Sequence, residues 1–186
     1  MASNKSSTLK TGDLVQVTIE KVAHGGHFIA RHDGAVIFVR HAIPGEKCTI
    51  QITSTGSSFN RADVVSVEAP SEFRVQAPCS FAHRNGCGGC DFQHISVDHQ
   101  RILKSDVIAE QFSRIAKMEM RVEVEEVGES THWRTRAIAT TDRNGKLGFY
   151  KSRSHSIAPV TDCIICVDGM NFNEIASRDL KGDIRV

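Results

Sequence analysis

The chain has 186 residues, of which 40% are hydrophobic and 24% charged, and its 23 basic and 22 acidic side chains leave a net charge of +1. This composition is that of a folded protein of one or two domains and argues against wholesale disorder. No apolar run approaches the roughly 18–20 residues that span a bilayer, and the polar start Met1–Leu9 lacks the apolar core of a secretory signal. We therefore expect a cytoplasmic protein with no membrane partner.

Residues 11–68 follow a polar stretch, residues 1–10, that we expect to be a disordered tail. They predict about five short strands, at Leu14–Ile19, Phe28–Ala30, Val36–Val39, Cys48–Thr53 and Ala62–Val67. Asp33-Gly34 is a strong signal for a two-residue hairpin. Short strands at this density, with no helical pattern between them, predict a small closed β-barrel.

Residues 69–186 predict a mixed α+β region. Ser96 is a candidate N-cap for a helix that runs to about Met118. Apolar residues flank its narrow polar stripe on both sides, so we expect a partly exposed apolar surface on this helix. The remaining elements expected are strands around Val122 and Val124, a hairpin joining Ala137–Thr141 to Lys146–Tyr150 through Asn144-Gly145, a helix at 170–180 and a strand starting at Asp183.

Charge is segregated along the chain although the total is close to zero. Residues 119–129 hold five Glu against one Arg, whereas residues 131–161 hold six basic side chains against Asp142 alone. Trp133, Tyr150 and His155 lie among those basic residues. The region 131–161 therefore carries a local positive field.

Six cysteines give the densest chemical signal, and in a reducing compartment their clustering indicates metal or redox chemistry rather than disulfides. Cys79, Cys87 and Cys90 lie within twelve residues, and Gly88-Gly89 lets the last two turn towards one centre. A fourth thiolate would come from Cys48, Cys163 or Cys166. Four thiolates suit an iron–sulfur cluster or a structural zinc ion.

Two other interpretations of the cysteines remain open. Cys87-x2-Cys90 and Cys163-x2-Cys166 form a double pair like that of a zinc ribbon, but their separation far exceeds the usual 15–20 residues or so. The cysteines could instead be buried free thiols, which are common singly. That interpretation suits Cys48, in a predicted strand, better than three cysteines beside Gly-Gly.

Three stretches carry a family resemblance: residues 12–46, with His24-Gly25-Gly26 and Ile43-Pro44-Gly45-Glu46; residues 78–94, PCSFAHRNGCGGCDFQH; and residues 133–163, which begin WRTRA and end TDC. The first resembles a TRAM domain, a small RNA-binding barrel, and the others resemble the central domain of the RNA uridine-5 methyltransferases. The resemblance implies an OB-like barrel followed by an α+β central domain with an iron–sulfur loop. The family's C-terminal Rossmann-like methyltransferase domain, which binds S-adenosylmethionine, has no counterpart in the sequence.

The resemblance implies a four-iron four-sulfur cluster held by Cys79, Cys87, Cys90 and Cys163, with zinc as the alternative and Cys166 as a neighbour. It assigns no catalytic residue to this chain, which we expect to be inactive alone and not to bind S-adenosylmethionine. The chain would be the front part of such an enzyme, with a separately encoded methyltransferase domain as a possible partner. The alternative is a stand-alone RNA-binding adaptor with a structural metal.

The expected partner is RNA, either ribosomal or transfer RNA. Candidate contacts are the basic residues Arg31 on the barrel and Arg134, Arg136, Lys151, Arg153 and His155 in the positive region. Their cations would neutralise phosphates, and Trp133 or Tyr150 could stack on an unpaired base. For Trp133 we expect a place in the core instead, because a lone Trp is more often packed than stacked.

Overall fold

The computed structural model describes residues 9–178 and the backbone of residues 183–185. By their contacts they form two compact units, one made of the residues up to Gln76 with His94–Glu125, the other of Ala77–Gln93 with the residues from Glu126 onward. Within the described ranges, no helix is both long and apolar enough to cross a membrane. The predicted tail at residues 1–10 lies almost wholly outside the described residues.

Five strands close a barrel in the first unit, in the order β1-β2-β3-β5-β4. Neighbouring strands are antiparallel except β3 and β5, which run parallel, and β1 pairs with β4 to complete the closure. The strands are β1 Leu14–Ala23, β2 His27–His32, β3 Ala35–Arg40, β4 Lys47–Ser54 and β5 Asn60–Ala69. The five-stranded barrel expected from the sequence is confirmed.

The turn between β2 and β3 explains why the strand prediction succeeds here. Asp33 and Gly34 both adopt positive φ angles, 47° and 80°, and His32 lies opposite Ala35. This backbone shape matches the twist of the flanking strands, and Asp-Gly adopts it at little cost. The barrel interior is filled by alternate side chains of the strands, among them Ile19, Phe28, Ile37, Ile50 and Ile52.

Cys48 belongs to that interior and not to a metal site. Its side chain is fully buried in β4. Burial, followed by the nearby Glu46 carboxylate, raises the pKa of the Cys48 thiol to about 12. A thiol this reluctant to ionise packs as a small apolar side chain, as the sequence predicts.

A buried carboxylate ties the end of the barrel to the chain that leaves it. Glu46 accepts two hydrogen bonds from the Arg74 guanidinium, at 2.6 and 2.7 Å. The backbone N–H groups of Ile43 and Ser71 donate to the same carboxylate at 2.8 and 3.1 Å. Arg74 also donates to the His41 carbonyl at 2.9 Å. Because both partners are shielded from water, removing one leaves the other charge uncompensated.

We expect Glu46→Ala to lower the free energy of unfolding by about 3 kcal/mol, the lower end for a broken buried ion pair, because Arg74 keeps some access to water. Urea unfolding of the whole chain measures this. Glu68→Ala is the matched control: Glu68 is an exposed barrel carboxylate bound by the Thr49 and Ser66 hydroxyls. Its cost should be much smaller than that of Glu46→Ala, because Glu68 is exposed to water in the folded chain. Equal costs for the two variants would contradict this account of Glu46.

The helix of the first unit, α1, spans Val97–Gln111 and continues as a π-helical turn, Phe112–Ala116. It starts after Ser96 as predicted, but ends two residues before Met118, because Lys117 turns left-handed with a φ of 56°. Although its sequence position follows the barrel, its contacts place it in the same unit. The expected exposed apolar surface is present: Ile102 is 46% exposed and Ile115 70%.

The expected strands at Val122 and Val124 are wrong, since residues 117–133 contain no strand. The segment contacts α1, where the Ser105 hydroxyl donates a hydrogen bond to the Val122 carbonyl. Alternating Val and Glu suit a strand, but a strand also needs a partner edge, and none pairs with this segment in the described residues.

A four-stranded sheet in the order β8-β7-β6-β9 organises the second unit. Its elements are β6 Ile138–Thr141, β7 Leu147–Tyr150, β8 Ile157–Pro159, a short helix α2 Phe172–Ala176 and β9 Asp183–Arg185. The hairpin of β6 and β7 and the strand beginning at Asp183 match the sequence expectations, whereas α2 is shorter than residues 170–180, part of which lies outside the described residues. Ala139, Leu147, Val160 and Phe172 form the core against which Cys87 and Cys163 pack.

Candidate functional site

Four cysteines, three from one loop and one from far along the sequence, line one cavity in the second unit. They are Cys79, Cys87, Cys90 and Cys163. The other walls are largely apolar and include Phe81, Phe149, Val160 and Ile165. The sheet core beneath holds Cys87 and Cys163 in place. The fold thus brings together the four sulfur atoms that the resemblance singled out.

The cysteines of this cavity are close enough to change one another's pKa. Burial is the main cause that raises the pKa of the Cys87 thiol. The Gly89 N–H lies 3.4 Å from the Cys87 sulfur and lowers this pKa, whereas the neighbouring Cys90, Cys163 and Cys79 raise it further. Burial likewise raises the pKa of Cys90. Both thiols are thus held protonated at neutral pH in the absence of a cation. A bound metal would reverse this preference, because metals take thiolates and release the protons.

Gln93 is a cavity residue that sequence reasoning missed. Its side-chain oxygen accepts a hydrogen bond from the Cys79 backbone N–H at 3.1 Å. Its amide also forms a hydrogen bond with the Cys90 side chain, which favours the Cys90 thiolate. Gln93 therefore fixes the relative position of two cysteines that are eleven residues apart in sequence. A single glutamine carries no spacing signal, so only the fold could identify it.

Cys163 and Cys166 differ in their surroundings. Cys163 lines the cavity, and its backbone N–H bonds to the Asp162 carboxylate at 2.7 Å. The Cys166 side chain is 4% exposed and is not among the cavity-lining residues. Burial, then a hydrogen bond with Cys163, raises the pKa of the Cys166 thiol to about 12. Of this pair, Cys163 is the one positioned to meet a group held in the cavity.

The four cysteines line one cavity without forming a compact ligand set for a single ion. Among the described residues, no three His, Cys, Asp or Glu side chains are grouped closely enough to hold a single metal ion. Tetrahedral zinc needs sulfur atoms at about 2.3 Å from the metal and so roughly 3.8 Å from each other. A four-iron cluster uses one thiolate for each iron, which sets the sulfur atoms farther apart.

Gly88, the first of the two glycines between Cys87 and Cys90, packs directly on a neighbouring turn. Its N–H donates to the Tyr150 carbonyl at 3.0 Å. A Cβ on Gly88 would lie 2.5 Å from the Ser152 nitrogen and 2.8 Å from the Tyr150 oxygen. The backbone of the cysteine loop therefore touches the backbone of the β7–β8 turn, residues 151–156, with no room for a side chain.

The β7–β8 turn displays three of the predicted RNA-binding residues. Lys151, Arg153 and His155 lie within five residues of one another, and Arg153 and His155 are exposed. The turn is closed by a hydrogen bond from the Lys151 N–H to the Ser156 carbonyl at 2.9 Å. Tyr150, 51% exposed, meets His155 edge to face at 6.4 Å. Cations and an exposed aromatic ring are therefore presented together, on the turn that the cysteine loop contacts.

The other predicted RNA-binding residues lie elsewhere. Arg136 is exposed just before β6. Arg134 is half-buried, and its charge makes a minor contribution that lowers the pKa of the Cys90 thiol. Arg31 lies on β2 in the first unit, where its guanidinium forms an ion pair with Glu20. That pairing partly neutralises the Arg31 charge, a feature invisible in the sequence.

Comparison with known proteins places these features in context. The TRAM domain family matches residues 9–65, which hold most of the barrel. An RNA methyltransferase of unassigned specificity from Streptomyces coelicolor is 40% identical, over 92% of this chain and 41% of that protein. The 23S rRNA (uracil(1939)-C(5))-methyltransferase RlmD of Shewanella woodyi is 30% identical, over 98% of this chain and 44% of that protein. The chain thus spans about two fifths of the length of these curated relatives.

A solved structure shares the fold. The tRNA (uracil-54, C5)-methyltransferase of Pyrococcus abyssi, in complex with S-adenosyl-L-homocysteine, matches 86% of this chain and 34% of its own with a TM-score of 0.56. The sequence identity is 17%, so the match concerns the arrangement of the backbone alone. It covers both the barrel and the mixed α/β region that follows.

Proposed function

Because residues 9–65 match the TRAM domain family and the chain is similar to RNA methyltransferases, we propose that it is the RNA-binding, cluster-holding portion of an S-adenosylmethionine-dependent RNA uridine-5 methyltransferase. One observation carries the proposal: four cysteines line one cavity, and the loop bearing two of them packs on a basic turn. The chain covers about two fifths of its relatives. Donor binding and methyl transfer are therefore proposed for the whole protein and assigned to no described residue.

The proposed RNA contacts come from both units. Barrels of the OB-like kind bind oligonucleotides on the face of their second and third strands, and β2 here carries Arg31. In the second unit, Lys151 and Arg153 would neutralise phosphates, and Tyr150 would offer a ring to a base. The RNA class proposed is ribosomal or transfer RNA, the substrates that the relatives' names state.

The proposed cofactor is a four-iron four-sulfur cluster held by Cys79, Cys87, Cys90 and Cys163. The donors fit it: thiolates are soft ligands, all four cysteines line one cavity, and the other walls of that cavity are largely apolar. When bound, the cluster would supply metal–thiolate bonds that join the loop of residues 79–90 to Cys163. The Gln93 and Gly89 hydrogen bonds would orient Cys90 and Cys87 towards it.

We propose that the cluster would hold the RNA-binding turn, residues 151–156, in position through the cysteine loop. Gly88 lies between two ligands and contacts Tyr150 and Ser152 through backbone atoms. Backbone atoms cannot swing aside as a side chain would, so the position of the loop fixes the position of the turn. Closing the long chain segment between Cys90 and Cys163 also restricts the unfolded state and stabilises the second unit.

Removing the charges of the turn tests the RNA-binding half of the proposal. We expect the double variant Lys151→Gln/Arg153→Gln to bind a single-stranded RNA oligonucleotide more weakly. The slope of log affinity against log salt should fall by about 1.4, because each lost phosphate contact removes about 0.7. Fluorescence anisotropy at several salt concentrations measures both quantities.

The matched control for this experiment is Lys104→Gln/Arg114→Gln, which removes the same two charges from exposed positions of the first unit's helical segment. Its affinity and salt slope should stay close to those of the parent chain. If both double variants weaken RNA binding equally, the effect is one of net charge and the turn is not the contact.

A further inference from the structure

The chain's single tryptophan is exposed where a core position was expected. Trp133 is 54% exposed, so the expectation that it packs in the core is wrong. Leaving most of an indole in water forgoes the burial that makes Trp a core residue, and an exposed, ordered Trp is typical of recognition surfaces. From its surroundings we infer that Trp133 is a stacking platform for an unpaired base of single-stranded RNA, an inference that rests on the proposed function.

The backbone under the ring is fixed. The N–H groups of Trp133 and Arg134 both donate to the Ile165 carbonyl, at 3.0 and 2.7 Å. The Arg134 carbonyl accepts a hydrogen bond from Val167 at 3.0 Å. Ile165 is buried and lines the cysteine cavity, so the strip that carries the platform is anchored to the segment following Cys163.

The ring itself is held at two further points. Its indole N–H donates to the Ser130 carbonyl at 3.2 Å. The Arg134 guanidinium lies over the ring, 5.4 Å from the centroid. A ring oriented in advance loses little conformational freedom when a base stacks on it, so more of the stacking energy appears as affinity. Within the described residues, no other ring is stacked on Trp133.

The charge around the platform favours nucleic acid over an apolar protein partner. Arg134 and Arg136 follow Trp133 closely in sequence and would supply cations for the phosphates near a stacked base. The Asp168 carboxylate contacts the His132 ring at 2.8 Å. Because every base has a π-face and single strands expose it, the expected ligand is an unpaired nucleotide without strong base preference.

Trp133 can be tested directly, because the only tryptophan in the chain reports its own environment. We expect a single-stranded 12-residue oligouridylate to quench the intrinsic fluorescence of the whole protein in a saturable way. Heparin, which carries charge without bases, should compete for binding without quenching. In anisotropy measurements, Trp133→Ala should weaken oligouridylate binding by about ten-fold or more, and Trp133→Phe by much less, because Phe keeps an aromatic face.

The outcomes separate this inference from the proposed function. Oligouridylate binding without quenching, together with unchanged affinity for Trp133→Ala, overturns the platform and leaves RNA binding intact. No binding of any single-stranded RNA at low salt overturns both. If Trp133→Ala is less stable by thermal unfolding, Trp133→Phe decides: full affinity with a folded chain supports the platform, whereas a loss equal to that of the Ala variant contradicts it.

Discussion

Replacing Cys163 by alanine is expected to abolish cluster binding, whereas replacing Cys166, three residues later, is expected to leave it in place. Cys163 lines the cavity with the other three cysteines. The Cys166 thiol is buried beside Cys163 and outside the cavity lining, with a pKa raised to about 12. Without Cys163, a cluster would keep three of its four protein ligands. The iron left without a thiolate would be open to solvent, so the whole cluster would be lost more easily.

Iron and acid-labile sulfide, measured per chain after anaerobic purification, compare the two variants. The parent chain and Cys166→Ala should hold similar amounts, while Cys163→Ala should hold almost none. Circular dichroism shows whether each variant remains folded. Retention of iron in Cys163→Ala combined with its loss in Cys166→Ala would reverse the assignment of the fourth ligand.

Replacing Gly88 by alanine is expected to displace the cysteine loop and to lose both the cluster and tight RNA binding. The added Cβ would lie 2.5 Å from the Ser152 nitrogen and 2.8 Å from the Tyr150 oxygen. Real Cβ atoms do not approach backbone this closely, and the hydrogen bond from Gly88 to Tyr150 prevents a small adjustment. Relief requires the loop or the basic turn to move.

Gly89→Ala is a control only one residue away. A Cβ there would meet nothing closer than the Cys87 sulfur at 3.4 Å, an ordinary van der Waals contact. We expect this variant to retain its iron and its affinity for single-stranded RNA. If Gly88→Ala behaves like Gly89→Ala in both assays, the loop and the turn are not coupled as the proposal requires.

The barrel could be predicted from sequence because its signals are local. Asp33-Gly34 sets the turn between β2 and β3, and alternating apolar residues such as Phe28 and Ala30 assign each strand face. The error at Val122 and Val124 shows the limit of such signals. Alternation there is as good as in the barrel, but strand formation depends on an edge supplied from elsewhere in the chain.

The site was less accessible to sequence reasoning because it is made of long-range contacts. Spacing grouped Cys79, Cys87 and Cys90 but left the fourth thiol open, and only the family resemblance selected Cys163. The ion pair of Arg31 with Glu20 and the contact of Gly88 with the β7–β8 turn join residues from separate strands and loops. Exposure of Trp133 also depends on which surfaces the fold leaves uncovered, which a residue's hydropathy does not determine.

The metal content of the parent chain, purified without oxygen, tests the proposed iron–sulfur cluster most directly. We expect about four iron atoms and four sulfides per chain, with an absorption band of an iron–sulfur chromophore that disappears on chelation. One zinc atom per chain with no sulfide would contradict the cluster. Four freely titratable cavity thiols with no metal bound, even after supplying iron and sulfide, would contradict any metal centre at Cys79, Cys87, Cys90 and Cys163.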